Sequence, residues 1–161
     1  MESLDGALDR IYRECRQQLF TYALSIVRCP ERAEDAIHEA FCKLIRLAPR
    51  TGDLKAYVFR SVRNAALDEL RRHSAPARES VGDWIVDPDP DPAEAAADRD
   101  FARRVAAALL DLSEDERETI VLRVYGDLTF REIAELREAP LGTITTWYQR
   151  GIKKLRSLVE E

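Results

Sequence analysis

The chain has 161 residues, of which 45% are hydrophobic and 34% charged, a balance typical of one globular domain or two small ones. No apolar run approaches the roughly 20 residues that a membrane helix needs, and no apolar core follows the acidic N-terminus, so we expect no membrane segment, no secretory signal and a cytoplasmic location. The net charge of −5 arises in residues 74–100, where two basic residues stand against eight acidic ones, so a local basic face for nucleic acid is not excluded.

Three helices are predicted before this acidic segment, in a chain whose alanine, leucine, glutamate and arginine content favours helix. Apolar residues recur at steps of three and four over Ser3–Arg28, which indicates one long amphipathic helix. Pro30 fits the first position of a second helix, which Pro49–Gly52 interrupts. Asp53 is a suitable cap for a third helix that runs to about Arg72.

The acidic segment, residues 74–100, is predicted to be a linker. It holds four of the seven prolines, and proline alternates with aspartate over residues 88–92. Such a run cannot be helical, because each proline removes a donor and restricts the residue before it. The apolar residues Trp84–Val86 within it indicate a docking contact with a neighbouring domain or, equally, a contact with a partner.

Helices are predicted again after the linker. Asp100–Leu110 is rich in alanine, and Ser113 with Glu116 forms an S-x-x-E capping box that opens the next helix at Glu114. Gly126 is a suitable end for that helix.

A helix-turn-helix pattern follows. Thr129 with Glu132 forms a second capping box, which opens a short helix to Arg137, and a turn leads to a helix over Thr143–Leu158. The last helix is polar at its front and basic further along. A short helix, a tight turn and a helix of this kind suit the major groove of DNA.

The third predicted helix carries a basic face as well as its apolar stripe. Arginines on this face could bind phosphates bidentately, and Asn64 could hydrogen-bond a base edge; the alternative is an ordinary solvated face. Tyr57 and Phe59 could support an unstacked base, although the spacing of Tyr57 favours a place in the core. Residues spaced to share the basic face are Arg60, Arg63, Asn64, Leu67, Asp68 and Arg71.

The second predicted helix has an acidic face made of Glu31, Glu34, Asp35 and Glu39, with His38 beside them. Acids near a helix N-terminus are favoured by the helix dipole, and this explains part of the pattern. A basic protein partner is the other explanation.

Sites for chemistry are sparse. His38 and Cys42 lie four apart, as two metal ligands on a helix would, but the second histidine of a zinc motif is missing. Cys15, Cys29 and Cys42 form no CxxC pair, so we expect reduced thiols. Neither a glycine-rich phosphate loop nor a Ser-His-Asp set is evident, and we expect no catalysis, no metal and no cofactor.

Two motif blocks and the linker between them resemble a known family. Ala33–Arg46 and Leu54–Arg72, followed by the acidic linker and residues 112–155, are similar to the bacterial sigma-70 family of RNA polymerase sigma factors, and to its small extracytoplasmic-function group (group IV). The resemblance implies an all-α fold of two small helical domains. Residues 1–73 would resemble sigma region 2, residues 74–100 would be the linker, and residues 101–161 would resemble region 4.

The resemblance also implies a division of labour under the control of an anti-sigma factor. Core RNA polymerase, through the clamp helices of its largest subunit, would bind Glu34, Asp35, His38, Glu39, Phe41 and Leu44. The promoter −10 element would be opened and held by Lys55, Arg60, Arg63, Asn64, Arg71 and Arg72, with Asn64 and the loop Arg50–Asp53 nearest a flipped base. The −35 element would be read by Thr143, Thr145, Thr146, Gln149, Arg150 and Lys153.

Two residues depart from the family pattern, and two other functions stay open. Glu138 stands in the turn where many members have glycine, and Thr145 stands where many have arginine. LuxR-type regulators share a similar helix-turn-helix, so a stand-alone DNA-binding regulator is one alternative. A metal-dependent hydrolase built on His38, Glu39 and Cys42 is the other.

Overall fold

The computed structural model of the protein describes residues 3–47, 53–72 and 95–160, and these ranges are helical with no strand. An N-terminal bundle consists of α1 (Leu4–Val27), α2 (Pro30–Leu47) and α3 (Leu54–Arg72). A C-terminal bundle consists of α4 (Ala95–Leu110), α5 (Glu114–Ile120), which continues as a π-helical segment (Val121–Tyr125), α6 (Phe130–Arg137) and α7 (Leu141–Glu160). The predicted all-α class is therefore confirmed.

The first three helices begin and end at residues suited to helix termini, and Pro30 and Asp53 have the positions that the sequence predicts. Ser3 caps α1 by accepting a hydrogen bond from the Gly6 amide at 3.1 Å. Arg28 ends the same helix in the left-handed conformation, with φ 55°. Pro30 begins α2, and the Asp53 carboxylate accepts from the Lys55 amide at 3.0 Å at the start of α3.

Two helices of the C-terminal bundle begin earlier than predicted. Helix α4 begins at Ala95, inside the predicted linker, because the alanine-rich run before Asp100 has high helix propensity. Helix α7 begins at Leu141 rather than Thr143, since the Pro140 carbonyl already accepts from the Ile144 amide at 3.1 Å. The proline–aspartate run and Trp84–Val86 lie outside the described residues.

One hydrophobic core runs through both bundles. Its N-terminal part includes Leu19, Tyr22 and Val62, and it continues into Leu122 and Ile133 of the C-terminal bundle. A smaller core holds the C-terminal bundle itself together, with Leu109, Leu112 and Ile120 at its centre. The two bundles therefore pack against each other through apolar side chains.

Helices α5 and α7 approach closely at Gly151. A Cβ atom at this position would lie 2.5 Å from Cδ1 of Ile120, a buried side chain. The absence of a side chain at Gly151 thus lets α7 lie directly on α5. In the described part of the chain, no helix combines the length and apolarity needed to cross a membrane.

Candidate nucleic-acid interface

The helix-turn-helix is built by a capping box and a left-handed turn residue. Thr129 Oγ1 accepts from the Glu132 amide at 3.1 Å, and the Glu132 carboxylate accepts from the Thr129 amide at 2.8 Å, as the sequence predicts. Glu138 ends α6 with φ 53° and ψ 47°. The Ala139 amide then donates to the Ala134 carbonyl at 3.0 Å, which turns the chain toward α7.

Helix α7 presents a polar and basic surface between Thr143 and Lys153. Gln149, Arg150 and Lys153 are exposed, whereas Thr143 and Thr145 are half-buried. The hydroxyls of Thr145 and the exposed Thr146 both donate to the Gly142 carbonyl, at 3.0 and 2.9 Å. All six residues predicted to read the −35 element therefore lie on this helix, and three of them have long side chains free to reach outward.

Both aromatic residues of α7 are partly buried against neighbouring helices. Trp147 lies under the guanidinium of Arg137, which is 5.0 Å from the ring centroid. Tyr148 packs edge-on against Phe130, with centroids 5.1 Å apart. These contacts orient α7 on α6.

Arg137, the last residue of α6, links three helices. Its side chain is only 9% exposed and lies 2.5 Å from the Asp115 carboxylate and 3.3 Å from the Glu118 carboxylate, both on α5. Together with its contact on Trp147, these ion pairs set the angle of α7. Sequence reasoning missed Arg137, because nothing in its local pattern signals three partners on other helices.

The C-terminal bundle covers one part of the basic face predicted on α3 and leaves another part exposed. Arg60 pairs with Glu138 at 2.5 Å, and Arg63 Nε donates to Glu118 at 2.9 Å. Asn64 is exposed on the other side, and Lys55 at the start of α3 is half-buried. The structure therefore places two of the predicted −10 residues at an interface between bundles.

The remaining arginines of α3 have acidic partners within the N-terminal bundle. Arg71 lies 3.2 Å from Asp68. Arg72 lies 3.0 Å from Glu39 and 3.2 Å from Glu69. The pairs of Arg71 with Asp68 and of Arg72 with Glu39 are largely exposed, so each contributes little to stability and can be exchanged for a phosphate, whereas the Glu69 carboxylate is buried.

The two aromatic residues of α3, Tyr57 and Phe59, do not have the exposure that the sequence predicts. Spacing favours a place in the core for Tyr57. Phe59 is fully buried, with its ring 6.0 Å from that of Tyr22, whereas Tyr57 is 37% exposed. Phe59 faces Tyr22 of α1 and also lies close to Gly126 of the C-terminal bundle, where an added Cβ atom would be 3.3 Å from its ring. Spacing within one helix cannot reveal such neighbours.

A pocket of about 160 Å³ opens between α2 and α3 beside Tyr57. Its lining includes Tyr57, Asn64, Ser61 and Lys43, together with the acidic Glu39 and several apolar side chains of α2 and α3. An aromatic face with an amide and a hydroxyl is a suitable environment for an unstacked base.

On α2 the predicted polymerase contacts differ in exposure. Glu34, Asp35 and His38 are exposed, and Glu39 is half-buried in its pair with Arg72. The two apolar residues of the set face inward: the Phe41 ring packs edge-on against Tyr12 at 5.2 Å, and Leu44 is 2% exposed in the core. Leu44 therefore supports α2 and offers no surface to a partner.

The interface between the bundles contains buried ionisable groups. The hydroxyl of the fully buried Tyr22 donates to Glu118 at 2.8 Å. Burial raises the pKa of Tyr22 well above its ordinary value, and the adjacent Glu118 charge raises it further. At the start of α3, a hydrogen bond with Glu132 lowers the pKa of the exposed Asp53, while burial and the Asp53 carboxyl raise that of the half-buried Glu132.

The alternative of a metal site at His38 and Cys42 is supported by two potential ligands only. His38 Nε2 and Cys42 Sγ are 3.7 Å apart. Across the described ranges, no group of three histidine, cysteine, aspartate or glutamate residues is placed to hold a metal ion.

Comparisons with known proteins agree on one family. Residues 11–75 match the family model for sigma-70 region 2, and residues 102–155 match that for sigma-70 region 4. The chain is 30% identical over 126 residues to the ECF RNA polymerase sigma factor RpoE of Cereibacter sphaeroides, covering 78% of this chain and 69% of that protein. It is 29% identical over 160 residues to the ECF sigma factor SigK of Mycolicibacterium vanbaalenii, covering 93% and 80%.

A solved structure shares the fold. The sigma factor RpoE of Bartonella quintana, determined in complex with the anti-sigma factor NepR, superposes with a TM-score of 0.74, covering 96% of this chain and 97% of that one at 21% identity. The chain therefore belongs to the extracytoplasmic-function group of the sigma-70 family, whose members bind core RNA polymerase and direct it to promoters.

Proposed function

We propose that the N-terminal region (residues 1–73) binds core polymerase and the −10 element, and that the C-terminal region (residues 101–161) reads the −35 element, across the linker of residues 74–100. The observation that carries this proposal is the exposed polar surface of α7 on a firmly capped helix-turn-helix. The chain performs no catalysis of its own and acts in the cytoplasm.

The −35 element is read by the part of α7 between Thr143 and Lys153. Gln149 is the residue best suited to a base edge, since its amide offers a donor and an acceptor together. Arg150 and Lys153 bind phosphates or guanine, and Thr143, Thr145 and Thr146 make shorter contacts with phosphate or a thymine methyl. Because Thr145 replaces a long side chain, base reading depends mainly on Gln149 and Arg150.

The −10 element is held by α3. An unstacked base enters the pocket between α2 and α3, where Tyr57 provides a ring and Asn64 an amide. Lys55, Arg60, Arg63, Arg71 and Arg72 bind the phosphates of the non-template strand. Taking a base out of the stack costs a few kcal/mol, which stacking and hydrogen bonds in such a pocket offset.

Core polymerase binds the exposed part of the acidic face on α2. Glu34, Asp35 and His38 provide the charge, and Glu39 contributes once its pair with Arg72 opens. The clamp helices of the largest subunit are the expected partner. Control by an anti-sigma factor is supported by the shared fold with a sigma factor that was solved with one.

In vitro transcription with core polymerase tests the reading of the −35 element. The double variant Gln149→Ala and Arg150→Ala should lose tenfold or more of its initiation on a native promoter, since each base contact is worth about 1–3 kcal/mol. On a promoter with a scrambled −35 element, the variant and the original chain should initiate equally. Arg156→Ala, an exposed change later in α7, is the matched control and should behave like the original chain on both promoters.

Two results would contradict this assignment. An equal loss on the native and the scrambled promoter would mean that Gln149 and Arg150 do not read bases. Failure of the original chain to co-purify with core polymerase would instead favour a stand-alone regulator.

A further inference from the structure

Arg137 is a buried cation at the joint of the helix-turn-helix. It is the last residue of α6, and its side chain is only 9% exposed. One guanidinium nitrogen lies 2.5 Å from the Asp115 carboxylate, and another lies 3.3 Å from that of Glu118. A buried charge needs such partners, because its removal from water is otherwise costly. Both carboxylates belong to α5, so these pairs fix the end of α6 against that helix.

The same guanidinium also contacts α7. Its Cζ atom is 5.0 Å from the centroid of the Trp147 ring. Arginine can hold both kinds of partner at once, since its planar group donates hydrogen bonds at its edge and stacks through its face. Apolar packing is non-directional, whereas a ring held under a guanidinium has a preferred orientation. The contact therefore restricts rotation of α7 about its own axis more than apolar packing alone would.

Trp147 and Gln149 lie on opposite sides of α7. The ring of Trp147 is half-buried, whereas Gln149 is exposed. Successive residues of an α-helix are about 100° apart, so Gln149 points about 200° away from Trp147. A rotation of α7 by about 10° would move a group about 6 Å from the helix axis by about 1 Å. A hydrogen bond does not survive such a shift, because a donor–acceptor distance of about 3.6 Å is already too long.

We infer that Arg137 is a positioning residue for the −35 element: by stacking on Trp147 while paired to α5, it sets the rotation of α7 that presents Gln149 to a base edge. This inference rests on the proposed reading of the −35 element by α7. Arg137 is itself buried and out of reach of DNA, so its effect is on discrimination between promoter sequences. Phosphate contacts tolerate a small rotation better, since they are made by long flexible side chains such as Lys153.

In vitro transcription with core polymerase and the full chain tests the inference. The measured quantity is a discrimination ratio: initiation on a promoter with a native −35 element divided by initiation on one with a scrambled element. Arg137→Lys keeps the positive charge and loses the planar group, and it should lower the ratio about fivefold or more, the scale of one lost base contact.

A second buried arginine provides the matched control. Arg117 of α5 is 6% exposed and donates to the carbonyl oxygens of Leu109 and Leu112, both at 3.2 Å. Arg117→Lys removes a buried guanidinium that binds carbonyls before α5. It should lower stability and leave the discrimination ratio unchanged. An equal loss of the ratio in Arg117→Lys and Arg137→Lys would assign the effect to general destabilisation and overturn the inference.

Two changes at Trp147 separate stacking from burial. Trp147→Phe keeps an aromatic face under the guanidinium and should retain the ratio within about twofold. Trp147→Leu keeps an apolar side chain without that face, and it should lower the ratio as Arg137→Lys does. Asp115→Asn changes a carboxylate that is 46% exposed, so the core stays intact, and it should give a smaller loss in the same direction.

Combination with changes at the reading residues shows whether Arg137 acts through them. In a chain that carries Gln149→Ala and Arg150→Ala, adding Arg137→Lys should leave the ratio unchanged, because the main base contacts are already gone. A further loss in that background would mean that Arg137 acts in another way, and the inference would be wrong.

Failure of the inference is distinguishable from failure of the proposed function. If Gln149→Ala with Arg150→Ala leaves the ratio unchanged, α7 does not read the −35 element through these residues, and both are wrong. If that double variant lowers the ratio and Arg137→Lys does not, only the positioning role of Arg137 is wrong.

Discussion

At the scale of single residues, Glu138 departs from the family pattern of glycine in the turn, and this departure strains the backbone. The sequence places a non-glycine residue in the turn of the helix-turn-helix, and the structure puts it in the left-handed region, with φ 53°. A side chain there is disfavoured by about 1 kcal/mol relative to glycine. Its pair with Arg60 does not offset this, because both side chains are largely exposed.

Glu138→Gly should therefore raise the free energy of unfolding by about 0.5–1 kcal/mol. Glu138→Ala is the control, since it removes the carboxylate but keeps the Cβ atom that causes the strain, and it should give no gain. Urea denaturation followed by circular dichroism measures both. If alanine stabilises the chain as much as glycine does, the effect comes from the lost charge and not from the backbone.

At the scale of elements, α2 has two faces with different roles. Its inward face holds Leu44 and the ring of Phe41, while Glu34, Asp35 and His38 point outward. Glu39 lies between the two faces and pairs with Arg72 of α3. A test of polymerase binding should use the outward residues alone, because changing Glu39 also removes a contact within the N-terminal bundle.

Reversing charge with Glu34→Lys and Asp35→Lys should abolish co-purification with core polymerase and leave the thermal unfolding midpoint nearly unchanged, since both side chains are exposed. Asp111→Lys, an exposed reversal after α4, should bind polymerase like the original chain. Normal binding by the double variant would remove α2 from the polymerase interface. Lost binding by Asp111→Lys as well would point to a general effect of charge.

The helices themselves were predictable because their signals are local. Ser3, Pro30, Asp53, Ser113 and Thr129 each satisfy or replace backbone donors within a few residues, so their effect does not depend on the rest of the molecule. The start of α4 was predicted too late because the prolines and aspartates before it were given more weight than the helix propensity of the alanines from Ala95 onward. The start of α7 was predicted too late because the hydrogen bond that the Pro140 carbonyl accepts was not foreseen.

At the scale of the whole molecule, the interface between the bundles buries a tyrosine hydroxyl, from which we expect a response to alkaline pH. While the two bundles are in contact, Tyr22 keeps a neutral hydroxyl, because burial and the charge of Glu118 both oppose a tyrosinate and raise the pKa of Tyr22. The stability that this adds is present in full below the ordinary tyrosine pKa of about 10 and is lost as the pH rises through the raised value.

The radius of gyration of the original chain should therefore increase on the alkaline side of about pH 10. Tyr22→Phe has no hydroxyl to ionise and should lack this transition, although it also loses one hydrogen bond to Glu118. X-ray scattering measures the expansion of the chain, and the ultraviolet absorbance of tyrosinate measures the ionisation of tyrosine. Both are recorded over the same pH titration. Identical expansion of both proteins would assign the transition to other groups.

The sequence by itself determined the helices, their caps, the helix-turn-helix and the family, because these depend on periodicity and on residues within one or two turns of each other. Only the tertiary structure decided that Phe59 and not Tyr57 is buried, that Arg137 orients α7, and that Arg60 and Arg63 face carboxylates of the other bundle. The contacts of Arg63 with Glu118 and of Arg60 with Glu138 join residues 55 and 78 positions apart, and Arg137 lies 22 positions from Asp115. No pattern within a single helix records such contacts.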